Sequence, residues 1–219
     1  MISIFFGKIG SGKTSFLAEA VRKNEKKKKL LKKLPFLRFL TGDPYDHIFS
    51  NELIKGTEPL HTANIGLFQP EGKCLFLIDE AGVFFNSRRF KSMPQYTTDF
   101  FAMSRHYDSD IILTSQTVDV DKSLRNRAAR LYDVRKGLFG RSTARLIRYQ
   151  IGVDEVTHDL VEGYYLFPKI VYFLLPSFFG LKLKINRRKV YKFFDTKSKI
   201  LKFKYVGYSA MSDPSSPCS

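Results

Sequence analysis

Residues Gly7–Thr14 read GKIGSGKT and match the spacing G-x-x-x-x-G-K-[ST]. In this pattern the glycines let backbone N–H groups turn toward a phosphate, the lysine adds a cation, and the final hydroxyl ligates Mg²⁺. The apolar run ISIFF at 2–6 predicts a buried strand before the loop, and TSFLAEAVRKN at 14–24 has the spacing of a helix. This strand, loop and helix form the context that a phosphate loop requires. The predicted phosphate-binding residues are Gly7, Gly10, Ser11, Gly12, Lys13, Thr14 and Ser15.

A second strand carries acids at its end. The stretch KCLFLIDEAG at 73–82 is an apolar run that closes on Asp79 and Glu80. Two adjacent acids pack poorly in a core, whereas the hydrolytic interpretation uses both: Asp79 joins Thr14 at Mg²⁺, and Glu80 polarises the attacking water. A helix-capping role is the alternative for Glu80. The next buried strand, DIILTSQ at 110–116, ends in Gln116, whose amide could sense the γ-phosphate or hold that water.

The remaining pattern predicts an α/β fold. We expect a P-loop NTPase of the additional-strand type, with a mostly parallel central sheet flanked by helices. Helices are predicted at Pro94–Tyr107 and around DVDKSLRNRAAR at 119–130. Two strands joined by a turn near Gly140 predict an antiparallel extension at the sheet edge. Between the first helix and the strand that ends at Asp79, one further strand is predicted, near Ile65–Phe68.

The net charge of +16 is concentrated in two stretches. Residues 22–38 hold nine basic residues and one acid, and residues 182–204 hold ten basic residues and one acid. A lysine run alone is equally consistent with a solvated surface or a disordered loop. Two such blocks favour a binding face for nucleic acid or an anionic membrane surface. We expect one ATPase domain over 1–205, which includes both blocks, and a disordered tail over 206–219.

Cysteine content and hydropathy bear on the compartment. Two cysteines cannot form a disulfide framework and the first residues lack a signal-peptide pattern, so we expect an intracellular protein. The most apolar stretch, YYLFPKIVYFLLPSFFGLK at 164–182, has only about a dozen residues without a charge, whereas a spanning helix needs roughly 20. Core packing is the favoured interpretation of this stretch. An interfacial or partner-contacting segment and a spanning helix are the alternatives.

Three motifs together resemble the zonular occludens toxin-like (Zot) family, the P-loop ATPases of filamentous phage assembly, which are related to FtsK and HerA. They are FLIDEAG at 76–82, AMSRHYDSDIILTSQTVDVDKSLRN at 102–126 and VYKFFDT at 190–196. The resemblance covers residues 1 to about 196. It implies that Lys13 and Thr14 bind ATP phosphates and Mg²⁺, that Asp79 coordinates the metal, that Glu80 is the catalytic base and that Gln116 is a sensor. It also implies a homo-oligomeric ring, with a hexamer as the candidate.

A ring ATPase needs a cation supplied across the subunit interface. Arg105 and Arg125 are the candidates. Arg105 follows a predicted helix and precedes a core strand, and we expect it to face the nucleotide end of the sheet; a surface ion pair with Asp108 or Asp110 is its alternative role. Arg125 lies beside Arg127 and Arg130 on a predicted helix and is placed as well to contact a partner strand as to contact a phosphate.

The expected function is an ATP-hydrolysing motor of phage origin that moves single-stranded DNA in virion assembly, export or packaging. Family members usually continue into a transmembrane helix, and this chain ends soon after the last motif. We therefore expect a protein of the bacterial cytoplasm that works at the inner-membrane surface or with a membrane partner. A nucleoside or nucleotide kinase, with SLRNRAAR at 123–130 as a basic lid, is one alternative. A nucleotide-binding assembly scaffold is another.

Overall fold

The structure is a computed structural model that describes residues 1–67, 70–85, 93–116, 120, 122–153, 160–174 and 180–194. Within these ranges nine strands form one sheet. The strands are β1 (Ile2–Phe6), β2 (His47–Ser50), β3 (Glu58–Pro59), β4 (Cys74–Ile78), β5 (Ser109–Ser115), β6 (Arg130–Lys136), β7 (Arg141–Val153), β8 (Leu160–Leu166) and β9 (Lys182–Asn186). The helices are α1 (Lys13–Lys33), α2 (Arg38–Thr41), α3 (Ala81–Phe84), α4 (Gln95–Met103), α5 (Lys122–Arg127), α6 (Lys169–Leu174) and α7 (Arg187–Val190).

The strand order confirms the predicted fold class. The order is β3-β2-β4-β5-β1-β6-β7-β8, with β9 paired to β7. The strands from β3 to β6 run parallel, and β7 pairs antiparallel with β6, β8 and β9. The extra strand β5 lies between the loop-bearing β1 and the acid-bearing β4, which is the additional-strand arrangement. The antiparallel extension begins after the turn at 137–140, as the sequence predicts.

Both faces of the sheet are covered. All five residues of β1 and of β4 are buried, as their continuous apolar runs require in a parallel sheet. Alternate residues of β4 point to opposite faces. Cys74, Phe76 and Ile78 pack with Phe100 and Phe101 of α4 and Leu124 of α5, whereas Leu75 and Leu77 pack with Leu17 and Val21 of α1 and with Val190 of α7.

The strand predicted near Ile65–Phe68 is wrong. Residues Thr62–Asn64 form a single 3₁₀ turn, and Gly66 follows with a φ of 91°, which breaks an extended conformation. Phe68 lies outside the described residues. The strands in this part of the chain are β2 and the two-residue β3, and the four residues HIFS of β2 are too few to stand out from the polar sequence around them.

The first basic stretch is helical. The predicted first helix continues through the lysine run to Lys33, and short helical turns follow at Pro35–Leu37 and in α2. Its last buried residue is Asn24, whose side-chain amide donates to Tyr45 O (3.0 Å) and accepts from Tyr45 N (2.8 Å). The rest of α1 therefore extends beyond the core.

Part of the apolar stretch 164–182 packs in the core. Tyr172 of α6 is buried, and its hydroxyl donates to Leu146 O at 2.6 Å. Across the described ranges, the helices are too short or too polar to cross a bilayer. The predicted helices at 94–107 and 119–130 correspond to α4 and α5. Residues 175–179, the end of the VYKFFDT motif and the predicted tail 206–219 lie outside the described residues.

Candidate nucleotide-binding site

The loop between β1 and α1 has the geometry that its glycines predict. Gly12 has a φ of 92°, and a Cβ built there would lie 2.5 Å from Ser142 Oγ and 2.9 Å from Arg187 Cδ. Both the backbone conformation and the close approach therefore require glycine. The helix α1 begins directly after this residue, with its free N–H groups at the loop. The loop thus offers the concave set of donors that binds phosphate.

Lys13 already reaches back over the loop. Its Nζ donates to Gly7 O at 2.9 Å and to Lys8 O at 3.3 Å, and the side chain is buried. Loop carbonyls hold the ammonium group at the place where phosphate oxygens would replace them as acceptors. The predicted position of Lys13 is consistent with a phosphate ligand.

Asp79 lies beside Thr14. The Thr14 hydroxyl donates to Asp79 Oδ2 at 2.6 Å, and the Thr114 hydroxyl donates to Asp79 Oδ1. The backbone of Asp79 is also held, because Asn51 Nδ2 donates to Asp79 O (3.0 Å) and Asp79 N donates to Asn51 Oδ1 (2.7 Å). Three neighbouring elements therefore fix one buried carboxylate next to the phosphate loop.

Glu80 has an unusual backbone conformation. Its φ of 52° and ψ of 43° lie in the left-handed region, which costs a residue other than glycine about 1 kcal/mol or more. The Glu80 N–H donates to Thr114 Oγ1 at 3.2 Å. Although Glu80 precedes α3, its side chain makes no capping hydrogen bond, so the helix-cap alternative is not supported. Strain of this kind is typical of functional sites.

Gln116 lies at the same edge of the sheet. It directly follows β5 and is exposed, and the preceding residue Ser115 accepts a hydrogen bond from Gly7 N at 3.2 Å. Phe6 and Ser115 are register partners, as are Ile78 and Leu113. The carboxyl ends of β1, β4 and β5 thus bring the loop, the two acids and Gln116 together, where ligands bind in parallel α/β sheets.

A cleft of about 530 Å³ adjoins the two acids. Its lining includes Asn51, Glu52, Leu60, His61, Asp79 and Glu80. Partial burial raises the pKa of the Glu52 carboxyl, and the neighbouring Asp79 and Glu80 carboxylates raise it further. The negative potential of this group of carboxylates favours a bound cation.

The opposite side of the loop is braced by the antiparallel extension. Ser142 of β7 is fully buried, and its hydroxyl donates to Ser11 O at 2.7 Å. Arg187 packs its Cδ against Gly12, while its N and Nε donate to Gly140 O at 2.8 Å and 3.4 Å. Strands far apart in the sequence thus hold the loop from both sides.

The placement predicted for Arg105 is wrong. The residue is exposed and precedes β5, whose first residue, Ser109, accepts a hydrogen bond from the amino group of Met1 at 2.9 Å. Because β5 runs parallel to β1, Arg105 lies at the amino edge of the sheet, opposite the loop. Its alternative role is a surface ion pair with Asp108 or Asp110, and Asp110 forms an ion pair with the Met1 amino group (2.7 Å). A contribution of Arg105 to a neighbouring subunit stays a prediction.

Arg125 lies on α5, which packs against α4. It is half-buried, and the neighbouring Arg127 donates from Nη1 to Thr98 O at 3.4 Å. A role of Arg125 across a subunit interface also stays a prediction.

The two basic stretches meet in space. Helices α1 and α7 pack together, and a groove of about 370 Å³ lies between them. Its lining includes Arg22, Lys26, Lys29, Arg188, Lys189 and Lys192. Arg22 is paired with Glu19, Nε to Oε2 at 2.6 Å. Cations of the two basic stretches therefore share one groove among the residues described up to 194, and what they bind stays a prediction.

Sequence reasoning missed Asn51, Thr114, Ser142 and Arg187. Two of them carry a signal, because Asn51 directly follows β2 and Thr114 lies two residues before Gln116 in the same strand. Ser142 and Arg187 carry none, since their contact with the loop depends on the pairing of β7 with β6 and β9.

Comparison with solved structures finds chains that are similar to this one. One is the N-terminal domain of zonular occludens toxin from Neisseria meningitidis, with 18% identity, a TM-score of 0.45, and coverage of 78% of this chain and 96% of that chain. Another is the genome packaging NTPase B204 from Sulfolobus turreted icosahedral virus 2 with ATP-gammaS, with 12% identity, a TM-score of 0.39, and coverage of 76% and 98%.

No curated protein sequence matches the chain. The family model described as zonular occludens toxin (Zot) matches residues 1–177 of its 219. This match spans the phosphate loop, both acids, Gln116 and the extension through β8. As its three motifs predict, the chain belongs to the zonular occludens toxin (Zot) family.

Proposed function

We propose that this chain is an ATP-hydrolysing motor that moves single-stranded DNA during phage assembly. The contact between Thr14 Oγ1 and Asp79 Oδ2 at 2.6 Å carries the proposal, because it joins the phosphate loop to the acid-bearing strand. A loop that bound nucleotide only as a scaffold would not need an aspartate whose carboxylate is held beside it by two hydrogen bonds and whose backbone is held by two more. The adjacent Glu80 supplies the base that hydrolysis requires.

Each residue has a definite part in the proposed reaction. The loop N–H groups and the Lys13 ammonium bind the β- and γ-phosphates and oppose the charge that builds up on them. Thr14 and Asp79 supply hard oxygen ligands, as Mg²⁺ prefers, so these two would hold the ion, which screens the phosphate charge. Glu80 accepts the proton of the attacking water, and Gln116 orients that water.

The basic groove between α1 and α7 is the proposed DNA contact. Its cations come from both basic stretches and lie on helices whose other faces pack in the core. α1 begins at the phosphate loop, and α7 begins at Arg187, which packs on Gly12. Both walls of the groove therefore connect directly to the nucleotide site. A ring of such subunits, with Arg105 or Arg125 completing the neighbouring site, belongs to the same proposal.

The test is ATP turnover by the purified chain with and without single-stranded DNA, with Lys13→Ala as the blank. If the chain is a DNA motor, ATP turnover rises when DNA is added and is absent in Lys13→Ala. ATP turnover that does not change with DNA would contradict DNA as the substrate that is moved. ATP binding without turnover would favour the assembly scaffold. Phosphate transfer to a nucleoside or nucleotide without hydrolysis would favour the kinase. DNA affinity should also fall steeply with salt, since neutralised phosphates release counterions.

A further inference from the structure

The end of helix α1 projects away from the sheet. With 21 residues the helix is about 30 Å long, whereas a five-residue strand spans about 17 Å. It starts at the carboxyl edge of the sheet and reaches the amino edge, where Lys28 Nζ donates to Asp46 O at 3.3 Å. Asp46 N in turn donates to Lys73 O, directly before β4. The last turns of α1 and the helical turns after it thus extend beyond the edge opposite the phosphate loop.

This projection ends in exposed apolar side chains. Leu34, Phe36, Phe39 and Leu40, which we call the apolar tip, are 41%, 71%, 95% and 76% exposed. No residue of Pro35–Leu37 or of α2 is buried. Single exposed apolar residues are ordinary, but two phenylalanines and two leucines clustered at a projecting end indicate a contact surface.

The apolar tip is surrounded by positive charge. Residues 26–41 contain seven basic residues and no acid. Lys27 and Arg38 anchor the projection to Asp43, through Lys27 Nζ to Asp43 O at 2.9 Å and an ion pair of Arg38 with the Asp43 carboxylate. Exposed Lys29, Lys32 and Lys33 have stems long enough to lie along an apolar surface while their ammonium groups stay at its polar boundary.

We propose that the apolar tip docks on a membrane surface rich in anionic lipids. Phe36, Phe39 and Leu40 enter the boundary between headgroups and acyl chains, and the surrounding lysines bind the anionic headgroups. This pairing of a short apolar element with a basic border is the composition of interfacial membrane anchors. The phosphate loop, at the other edge of the sheet, stays open to nucleotide and DNA.

Other occupants fit the tip less well. A polynucleotide would use the lysines and could stack on phenylalanine, but it would leave the aliphatic Leu34 and Leu40 in water. A second copy of the tip would bring two strongly positive surfaces together. The docking goes beyond the proposed motor function and does not depend on ATP hydrolysis, so the two can fail separately.

The absence of tryptophan from the sequence allows a direct test. In Phe39→Trp the single indole reports the polarity around the tip. We expect its emission to shift to shorter wavelength with vesicles of phosphatidylcholine containing roughly a third phosphatidylglycerol, and not with phosphatidylcholine alone. The matched control is Phe139→Trp, at an 82% exposed position in the β6–β7 turn, beside basic residues but at the opposite edge of the sheet. No shift at position 39, or an equal shift in the control, would overturn the proposal.

Flotation with the same vesicles tests the energetic role of the tip. The double variant Phe36→Ser with Phe39→Ser should partition into anionic vesicles at least about tenfold less than the unmodified chain. Its ATP turnover without lipid and its affinity for single-stranded DNA should not change. If the variant floats as well as the unmodified chain, the docking proposal is overturned. It is also overturned if the variant instead binds DNA less tightly or forms an oligomer of lower mass. If the unmodified chain floats with anionic vesicles but does not hydrolyse ATP, only the proposed motor function is contradicted.

Discussion

The site around Asp79 and the groove between α1 and α7 are organised in opposite ways. The Asp79 carboxylate and backbone are both fixed, and four hydrogen bonds with three other residues determine their position. The groove instead presents lysines that are mostly exposed, on two helices. Hydrolysis requires groups held in place before the substrate arrives, whereas binding a phosphate backbone requires mainly the density of positive charge. Single substitutions should therefore be severe at the first site and mild, additive and dependent on salt at the second.

The largest effect is expected for Asp79→Asn. The substitution removes the anionic ligand and turns one acceptor of the Thr14 or Thr114 hydroxyl into a donor. ATP turnover should fall by about 10²-fold or more. The activity that remains should need a higher Mg²⁺ concentration than the unmodified chain does. Phosphate release measured across a Mg²⁺ titration checks this. Asp99→Asn on α4 is the control, and equal loss in both variants would mean that Asp79 has no special role.

Gly12→Ala tests the brace from the antiparallel extension. Its Cβ would meet Ser142 Oγ at 2.5 Å and Arg187 Cδ at 2.9 Å, so the loop or the extension must shift. We expect a loss of about 2 kcal/mol in the free energy of unfolding and a tenfold or larger loss of ATP affinity. Gly10→Ala is the matched control, because Gly10 also has a positive φ (74°) but no atom within 4 Å of the new Cβ. The free energy of unfolding from chemical denaturation and the ATP affinity check this. If both are equal in the two variants, the contact of Ser142 and Arg187 with Gly12 does not stabilise the loop.

Asn51→Ala tests whether holding the backbone of Asp79 matters. Two hydrogen bonds are lost, and the partner groups are partly buried, so unfolding should be easier by about 1–3 kcal/mol. Turnover should fall by about tenfold as Asp79 loses its position. Thermal unfolding and steady-state kinetics check the two effects, with exposed Asn126→Ala on α5 as the control. Normal turnover would show that Thr14 and Thr114 alone position the carboxylate.

The smallest single effects are expected in the groove. Lys26→Gln and Lys189→Gln should each weaken DNA binding only slightly and reduce the slope of log affinity against log salt by about one. Turnover without DNA should not change. Lys136→Gln, exposed on β6 and outside the groove lining, is the control. If Lys136→Gln lowers the salt slope as much as the groove variants do, DNA binds to positive charge in general and not along the groove.

The parts of the site that could be predicted from sequence are those whose chemistry is local. GKIGSGKT and the acids after a buried strand carry their own signal, so the sequence predicts that the loop, Asp79, Glu80 and Gln116 lie at one edge, where the strand register has them. Their roles in catalysis stay predictions. Ser142 and Arg187 act through contacts that depend on strand order, which the local pattern does not contain. Arg105 was misplaced for the same reason: the segment before a parallel strand lies at the amino edge, away from the loop. The four-residue β2 was missed because Ile48 and Phe49 are its only apolar residues.

The segment proposed to contact a membrane also could not be predicted from the local sequence pattern. The sequence directed attention to the apolar stretch 164–182, where Tyr172 turns out to be buried and residues 175–179 lie outside the described ranges. A cluster of exposed apolar side chains lies at 34–40, which the sequence presented as the end of a lysine run, and Ile170 within 164–182 is exposed as well. Exposure depends on where α1 leaves the core, and periodicity alone does not determine that point.

The measurement that tests the central claim most directly compares Glu80→Gln with the unmodified chain in ATP binding and in phosphate release. The substitution keeps the size of the side chain and its backbone contact to Thr114, and removes the base. We predict ATP affinity within about twofold of the original and phosphate release slower by about 10²-fold or more. Unchanged phosphate release, with ATP binding intact, would contradict the assignment of this edge of the sheet as a hydrolytic site.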